Sequence, residues 1–353
     1  MTVDELTRQA GEWLSGSGPY SEIVISSRIR LARNIAGFPF LSQASESQRR
    51  EILRLLWNTI SATSFGQKFS FFDMEDTEEL DRQVLVERHL ISRQHAGEPG
   101  CRGVAISAQE TVALMVNEED HLRMQDLRSG LELNRAWEEI NQLDDEIETQ
   151  IDYAYHKQYG YLTACPTNVG TGIRVSVMLH LPALNLADQL QKVLRATKDM
   201  HIAVRGLFGE GTDALGDFYQ ISNQTTLGKS EEEIIREFES AIIPGIVEYE
   251  QRARQQLIKE RASLLDDKVW RAYGLLENAR SVSTEETLSL LSHLRMGVHM
   301  GRLRDTSINL NTINELFLQM QPAHLQKLNG EQLSPDQRSV VRAEYIRKRL
   351  YDN

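Results

Sequence analysis

The chain has 353 residues, of which 41% are hydrophobic and 25% are charged, and its formal net charge is −12. This length predicts one large domain with a smaller one, or two of similar size, and the composition excludes disordered, collagenous and fibrous proteins. A nucleic-acid-binding protein is usually basic. The acidic balance therefore argues against direct nucleic-acid binding and favours cationic partners, arginine-rich proteins among them.

The sequence also limits the compartment. Its apolar runs fall short of the roughly 20 residues that span a bilayer, and residues 1–16 carry acids without the apolar block of a signal peptide. The cysteines are Cys101 and Cys165, which are too few for a disulfide framework. We therefore expect no membrane segment and a cytoplasmic location.

Strand and helix patterns alternate up to about residue 255. In chain order, the periodicity of apolar residues predicts a strand over 23–31, a helix over 45–61, a pair of strands over 103–107 and 111–117, a helix over 133–151, a strand over 173–181, a helix over 186–197, a strand over 202–205 and a helix over 230–243. Capping boxes mark the helix starts at Ser45 and Ser230, and Pro244 is expected to kink the last helix rather than end it.

Beyond residue 255 almost every segment has a helical pattern. Ser283 with Glu286 predicts a capping box, and Ser334 with Pro335 and Gln337 predicts another helix start. The sequence therefore predicts a mixed catalytic domain over residues 1–255, followed by a smaller all-helical domain over residues 256–353.

Two arginines share one face of the first predicted strand. Arg28 and Arg30 stand at i and i+2, so their side chains point the same way, about 6.5–7 Å apart. This spacing suits successive phosphates of a triphosphate, and arginine makes bidentate contacts with phosphate. The alternative is a solvated polar strand face.

Three consecutive acids follow another strand, in the segment NEEDHLR at residues 117–123. The carboxylates of Glu118, Glu119 and Asp120 repel one another unless a cation or solvent lies between them. A guanidinium substrate or Mg²⁺ would relieve this repulsion, and Arg123 would pair with the acids or contact a phosphate. A solvated acidic turn is the alternative.

Two glycine-rich segments each contain an arginine. In CPTNVGTGIR, residues 165–174, the glycines allow close approach of the backbone to a ligand, and Arg174 follows on the next strand. It is neither a Walker A loop nor a dinucleotide fingerprint, because no Gly-Lys-Ser/Thr follows and no helix opens there. In RGLFGEG, residues 205–211, Arg205 leads into a turn that holds Glu210. A bland turn and a flexible hairpin are the respective alternatives.

The combination of these segments points to phosphoryl transfer, which needs mainly positioning and charge stabilisation. Together with Mg²⁺, five guanidinium groups would neutralise a nucleoside triphosphate: Arg28, Arg30, Arg123, Arg174 and Arg205. Two carboxylates, Glu119 and Glu210, remain to hold and deprotonate the nucleophile.

The segments NEEDHLR, CPTNVGTGIR and RGLFGEG strongly resemble the phosphagen (guanidino) kinases, over most of residues 20–250. The closer resemblance is to the bacterial protein arginine kinases of the McsB type. SSRIRLARN lies near the chain start, without the helical domain that precedes it in metabolic phosphagen kinases; ISNQTTLGKSEEEI and the helical tail are also similar to that type. The resemblance implies an α+β fold, with a mostly antiparallel sheet flanked by helices, and ATP-dependent phosphorylation of arginine side chains in proteins.

Site residues also follow from the resemblance. It implies that Glu119 and Glu210 grip the substrate guanidinium, with Glu119 as the preferred general base, that Asp120 supports them, and that Cys165 lies beside the guanidinium as a thiolate. The residues it implies for the ATP site are Ser26, Ser27, Arg28, Ile29, Arg30, His89, Arg123, Arg174, Val175, Ser176, Val177, Met178, Arg205, Gly206, Leu207, Phe208 and Gly209. Mg²⁺ is expected to be held mainly through phosphates and water, without a protein ligand.

The resemblance further implies a phosphoarginine pocket in the helical domain, where this chain has Arg338, Ser339, Arg342 and Ala343. The acid of the family pattern is replaced by Ser339, so we expect weakened or altered binding. The implied partners are protein substrates with exposed arginines, a Clp-type ATPase–protease, a stress-gene repressor and a second copy of the chain. The alternatives are a kinase for free arginine and an inactive adaptor that binds phosphoarginine.

Overall fold

A computed structural model describes residues 2–7, 10–206, 215–303 and 308–351. Its strands are β1 Val24–Arg33, β2 Phe69–Asp73, β3 Gly103–Ser107, β4 Val112–Val116, β5 Leu122–Ser129, β6 Tyr155–His156, β7 Gly160–Tyr161, β8 Ile173–His180, β9 Ile202–Arg205 and β10 Phe218–Asn223. Its helices are α1 Val3–Leu6, α2 Glu46–Ala62, α3 Glu79–Glu87, α4 Arg93–Gly97, α5 Leu133–Glu148, α6 Pro182–Leu186, α7 Leu190–Asp199, α8 Glu231–Glu237, α9 Ile243–Glu260, α10 Ala262–Asn278, α11 Thr284–His299, α12 Leu310–Gln319, α13 Pro322–Asn329 and α14 Pro335–Tyr351.

Eight of these strands form one antiparallel sheet in the order β2-β3-β4-β5-β1-β8-β10-β9, and β6 pairs only with β7. The predicted antiparallel pair over 103–107 and 111–117 is confirmed as β3 and β4. The α+β fold, with its antiparallel sheet, flanking helices and helical C-terminal region, is confirmed as well.

The central strands have one apolar and one polar face, because successive side chains alternate across a strand. Ile29 on β1 lies beside Val175 on β8, and both are fully buried. Helix α5 packs against this side of β1 and β5 with Leu133, Ile140 and Ile147. The opposite face carries the arginines, so the apolar packing fixes which side chains are left for chemistry.

The helix predicted over 186–197 corresponds to α7, which begins only at Leu190, and Leu186 instead ends the short helix α6. Asp188 lies between them with a φ of 57°, in the left-handed region, which a continuing right-handed helix cannot contain. The helix predicted to reach residue 151 ends at Glu148. Strands β2, β5 and β10 and the two-residue strands β6 and β7 were not predicted.

Pro244 lies inside a continuous run of helical backbone, as predicted. A turn of π-helix over Phe238–Ile242 joins α8 to α9, and it accommodates the missing N–H of Pro244 in the first turn of α9. Helix α9 then passes through residue 255 and ends at Glu260. The division of the chain at residue 255 therefore stays a prediction.

Helices α10 to α14 form the helical tail, which packs back onto the rest of the chain. Ser283 and Ser334 cap α11 and α14 through their hydroxyl oxygens, as predicted. Helix α13 contacts α3, and Arg295 on α11 donates to the backbone carbonyls of Ser21 and Glu22. In the part of the chain that the structure describes, no helix is long and apolar enough to cross a membrane.

Candidate active site

The polar face of the central strands forms the floor of a cleft of about 810 Å³. The predicted site residues that line it are Arg28, Arg30, His89, Glu119, Arg123, Cys165, Arg174 and Arg205. The cleft therefore brings together the strand arginines, the acidic turn and the start of the glycine-rich loop.

Sheet register places the arginines in rows across the strands. Arg30 on β1 lies opposite Gln125 on β5 and Arg174 on β8. Two rows further along the same face, beyond the row of Arg28 and Ser176, Gln220 on β10 lies opposite Arg205 on β9. Directly opposed residues share a face with their Cβ atoms about 4.5–5.5 Å apart. The guanidinium groups thus cover a surface rather than a point, which suits a ligand with several negative charges.

Neutral side chains hold the arginines in place. Arg28 donates from Nε to the Oγ of Ser176 at 3.3 Å and from Nη2 to the Oε1 of Gln220 at 2.9 Å. Arg174 donates from Nη2 to the Oγ of Ser222 at 3.1 Å. The Nε of Arg30 is buried and has no hydrogen-bond partner among the described residues. Hydroxyl and amide acceptors orient Arg28 and are themselves uncharged.

Crowding of like charges is visible in the pKa values on this floor. Burial, followed by the charges of Arg123, Arg174 and Arg205, lowers the pKa of Arg28 to about 9. Burial and the same kind of neighbours hold the pKa of Arg30 well below its usual range. A polyphosphate bound here would offset this repulsion, because it stabilises the charged form of each arginine. The residues on the floor therefore fit the phosphates of ATP.

The acidic turn after β4 divides its three carboxylates among different tasks. Glu118 accepts hydrogen bonds from Ser92 Oγ at 2.5 Å, from Arg123 Nη1 at 2.6 Å and from the backbone N–H of Glu119 at 2.9 Å. Burial alone would raise the pKa of Glu118, but the charge of Arg123 and these hydrogen bonds outweigh it and lower the pKa to about 2. Glu118 is thus a permanent anion that holds Arg123.

Glu119 lines the same cleft as Glu118, but its side chain is less buried than that of Glu118. Burial, and then the negative charges of Asp120 and Glu118, raise the pKa of Glu119 above its usual value. Asp120 Oδ1 accepts from Asn34 Nδ2 and from the backbone N–H of Ala164, both at 2.6 Å. Burial nevertheless raises the pKa of Asp120. A carboxylate under this repulsion is stabilised by a cationic ligand.

Cys165 begins the glycine-rich loop, and its Sγ lies 3.0 Å from the Oγ1 of Thr167. The glycines were predicted to let the backbone approach a ligand; here they approach other parts of the chain. A Cβ on Gly170, whose φ is 114°, would lie 2.4 Å from the carbonyl oxygen of Thr226. One on Gly172, whose φ is 67°, would lie 2.7 Å from that of Ala32. These contacts fix the loop at the side of the cleft.

Other predicted ATP-site residues lie elsewhere. The side chains of Ser27, Ile29, Val175 and Val177 are buried on the other face of the sheet; Ser27 Oγ donates to the carbonyl of Gly130 at 2.6 Å. A contact of these four with a nucleotide would have to use their backbone. Ser26, Ser176 and Met178 line a small cavity behind Arg28 and His89. Gly206 follows β9, and Leu207, Phe208, Gly209 and Glu210 lie outside the described residues.

The predicted phosphoarginine pocket lies on α14. Arg342 is buried and donates from Nε to the carbonyl of Met320 and from Nη1 to that of Val282, both at 2.9 Å. Arg338 donates from Nη1 to the carbonyl of Leu333 at 3.1 Å. Ser339 and the buried Ala343 lie on the same helix, and the Ser339 hydroxyl donates to the carbonyl of Pro335. Binding of phosphoarginine at these residues stays a prediction.

Sequence reasoning missed several residues that complete the cleft. Glu118 was visible in the acidic run, but only the structure separates its role from that of Glu119. Gln125 and Gln220 line the cleft beside the arginines, and Asn34 anchors Asp120 from outside it. Their position in the sequence could have indicated them, because each is a polar residue within a strand, or just after one, next to the arginine rows. Across the described ranges, no group of three or more His, Cys, Asp and Glu side chains is arranged to hold a metal ion.

Comparisons with known proteins agree with this geometry. Residues 51–253 match the family model described as ATP:guanido phosphotransferase, C-terminal catalytic domain, and residues 262–353 match the one described as protein-arginine kinase McsB C-terminal domain. Among solved structures, lombricine kinase is similar, with a TM-score of 0.58 and 26% identity over 67% of this chain and 69% of that one. The duplicated taurocyamine kinase of Schistosoma mansoni has a TM-score of 0.61 and 26% identity over 71% of this chain and 36% of that one.

Similar proteins extend over nearly the whole chain. A protein of Symbiobacterium thermophilum is 47% identical over 348 residues, and one of Halothermothrix orenii is 44% identical over 349 residues; each alignment covers 98% of both proteins. Both relatives are described as protein-arginine kinase. The chain therefore belongs to the ATP:guanido phosphotransferase family, and within it to the protein-arginine kinases.

Proposed function

We propose that this cleft transfers the γ-phosphoryl group of ATP to the guanidinium group of an arginine residue in a protein. The observation that carries the proposal is that one cavity brings together several arginines, among them Arg28 with its lowered pKa, and the carboxylate of Glu119 with its raised pKa. The arginines would bind the polyanionic triphosphate of ATP. The carboxylate would bind the substrate guanidinium, which is a cation that must lose a proton.

The arginine rows supply the phosphate side of the reaction. Arg28, Arg30 and Arg174 hold the triphosphate in line, and their charges stabilise the negative charge that spreads over the transferred group. The hydrogen bonds that Arg28 and Arg174 donate to Ser176, Gln220 and Ser222 keep these guanidinium groups in position before the nucleotide binds. This preorganisation lowers the barrier because little rearrangement is needed during transfer.

The carboxylates supply the acceptor side. The Glu119 carboxylate orients the substrate guanidinium and takes one proton from its attacking nitrogen, while the N–P bond forms and the P–O bond to ADP breaks. A free guanidinium has a pKa above about 12 and is a poor nucleophile, so a base is needed. The raised pKa of Glu119 makes it a stronger base than an ordinary glutamate. We assign Glu210 as the second guanidinium ligand, Asp120 as a support for Glu119, and Cys165 as a neighbour of the guanidinium.

Mg²⁺ fits this scheme through the nucleotide. Oxygen atoms of phosphates and water satisfy its octahedral preference, and the ion would neutralise part of the triphosphate charge. For the nucleotide we also assign His89, Arg123 and Arg205, together with the backbone of the remaining predicted residues.

Two observations favour a polypeptide substrate over free arginine. The relatives are described as protein-arginine kinases, and the net charge of −12 attracts basic proteins.

The cellular role that we propose goes further than the reaction. We infer a cytoplasmic enzyme, because the reaction consumes ATP and both cysteines are free. Phosphoarginine would mark proteins for a Clp-type ATPase–protease in a stress response, and a repressor of stress genes would be one substrate. The helical tail would support a homodimer.

A kinase assay tests the reaction. A basic, partly unfolded protein and free arginine are offered side by side with Mg·ATP, and products are identified by acid lability and mass spectrometry. We expect acid-labile phosphoryl groups on protein arginines, and a loss of rate of about 10²–10⁴-fold in Glu119→Gln. Glu344→Gln, an exposed position on α14, is the matched control.

The other outcomes are equally informative. Phosphorylation of free arginine alone would mean a small-molecule guanidino kinase. Binding of ATP or phosphoarginine without transfer to either acceptor would mean an adaptor, and the proposal would then be wrong.

A further inference from the structure

A buried polar network connects the helical tail with α3, next to the cleft. Arg88, at the end of α3, donates from Nε and Nη2 to the two oxygens of Glu110, each at 2.6 Å, and its Nη1 lies 3.3 Å from Nε2 of His324 on α13. The Nδ1 of His324 lies 2.7 Å from Oε2 of Glu87. Arg88 and His324 are fully buried. This network is not among the groups that the reaction uses.

The network fixes the tautomer of His324. A guanidinium group has no acceptor, so Arg88 must donate and Nε2 must accept. The proton of the neutral imidazole is then on Nδ1, from which it is donated to the Glu87 carboxylate. Burial, opposed by the hydrogen bond to Glu87, lowers the pKa of His324, in agreement with a neutral ring. His324 therefore bridges Glu87 and Arg88 with a defined donor and a defined acceptor.

Glu87 also caps the tail helix. Its Oε1 accepts from the backbone N–H of Ala323 at 2.7 Å, and its Oε2 accepts from that of His324 at 3.0 Å. Both N–H groups belong to the first turn of α13, where helical partners are missing and a carboxylate is favoured by the helix dipole. The last residue of α3 thus joins the two parts of the molecule directly.

His89 follows this joint and lines the cleft. Its φ of 60° is in the left-handed region, as is the φ of 61° of Glu110. Such conformations are strained in residues other than glycine, and they persist where the surroundings determine them. The ring of His89 packs edge-on against Trp13 with 4.9 Å between centroids, and its carbonyl accepts from Gln125 Nε2 at 2.7 Å. The backbone at His89 is therefore held from two sides.

We propose that the helical tail, through His324, holds the end of α3 and so positions His89 for the nucleotide. His324 is a positioning residue, since it acts on the cleft through Glu87 and Arg88. The cleft thus depends on a helix that lies more than 200 positions later in the chain. This inference rests on the proposed function only in taking the ligand of the cleft to be ATP.

The test separates KM for ATP from kcat. His324→Ala removes the imidazole that bridges Arg88 and Glu87. We expect KM for ATP to rise about tenfold, with kcat changed less than about threefold. Lys327→Met is the matched control, because Lys327 also ties α13 to α3 through Asp81, at 2.5 Å. We expect this control to keep the wild-type KM. His324→Gln retains an acceptor on a longer side chain and should recover part of the loss.

A double-mutant cycle identifies the route. If His324 acts through His89, His324→Ala adds no further rise in KM to a His89→Ala background. The inference is overturned if folded His324→Ala has the wild-type KM, if Lys327→Met raises KM equally, or if the two effects simply add. Should His324→Ala not fold, the same cycle is run with His324→Gln and His324→Asn. If the wild-type protein binds ATP in calorimetry but transfers no phosphoryl group, only the proposed function is contradicted.

Discussion

The two sides of the cleft are built in different ways. On the phosphate side, side chains rise from adjacent strands, so register fixes the spacing of Arg28, Arg30 and Arg174. On the acceptor side, Glu119 and Cys165 stand on loops: Asp120, beside Glu119, accepts a hydrogen bond from Asn34, and the Cys165 Sγ lies 3.0 Å from the Thr167 Oγ1. In the proposed reaction, the strand side would bind ATP, which every turnover uses, and the loop side would bind the acceptor arginine.

The two sides also store opposite electrostatic strain. Arg28 and Arg30 have lowered pKa values because positive charges crowd a buried surface, whereas Glu119 has a raised pKa because it is partly buried beside Asp120 and Glu118. Each reactant carries the charge that relieves the strain on its own side. The empty protein therefore gives up stability for the ability to bind both reactants.

Removal of an arginine from the floor should separate stability from activity most strongly. Arg30→Met deletes a buried group whose Nε has no partner and whose neighbours are positively charged. We expect kcat/KM to fall about 10²–10³-fold, while the ATP-free protein becomes about 1 kcal/mol more stable to urea. Arg54→Met, on the exposed side of α2, should change neither quantity. A less stable Arg30→Met protein would refute the idea of stored repulsion.

Glu118 should matter to both sides, because it holds Arg123 and the backbone of Glu119. Glu118→Gln is expected to lower kcat/KM about 10–100-fold and to cost about 3 kcal/mol of stability near neutral pH. A carboxylate whose folded pKa is depressed to about 2 contributes stability above its unfolded pKa, and that contribution is lost as pH falls toward the folded value. The difference in unfolding free energy should therefore shrink from about pH 4.3 downward; a constant difference would contradict this account.

Cys165 tests how much the loop side depends on one group. Its Sγ contacts the Thr167 hydroxyl and borders the cleft, but among the residues that the structure describes no charged partner fixes it in the way that Arg123 fixes Glu118. Cys165→Ser should lower kcat by no more than about tenfold and leave KM for ATP unchanged. Cys101→Ser, on a buried thiol outside the cleft, is the control for general effects. A loss as large as that of Glu119→Gln would make Cys165 essential.

The smallest effect is expected from Asp120→Asn. The amide oxygen can still accept from Asn34 and Ala164, so the loop should keep its conformation. Loss of the negative charge lowers the pKa of Glu119, because Asp120 is one of the causes that raise it. The acid limb of the kcat/KM profile should move to lower pH by less than about one unit. A shift to higher pH would mean that Glu119 is not the base.

The sequence indicated the phosphate side better than the acceptor side. Alternation along residues 23–31 predicted the face of Arg28 and Arg30, since burial of Ile29 determines which side chains face the cleft. Alternation could not give the order of the strands, so the meeting of Arg30 with Gln125 and Arg174 emerged only from the structure.

The acceptor side and the tail depended on contacts that no local pattern encodes. Asn34 and Asp120 are 86 positions apart, and His324 and Arg88 are 236 apart. Three adjacent acids look alike in sequence, and only their different partners separate the permanent anion Glu118 from the proposed base Glu119. Likewise, the left-handed conformation of Asp188, which delays the start of the helix predicted from residue 186 to Leu190, leaves no mark in the apolar periodicity.

The alternation of the central strands has a consequence for how this enzyme can diverge. Insertion or deletion of one residue in β1 would turn Ile29 toward the cleft and bury the arginines, so the strand lengths cannot vary gradually. The segments around Glu119 and Cys165 are loops outside the sheet register, so a change in their length would not turn a strand over, although close contacts hold Gly170 and Gly172. New acceptor substrates are therefore best sought by exchanging these loops while the sheet is kept unaltered. The same phosphate-binding strands would then serve different acceptors.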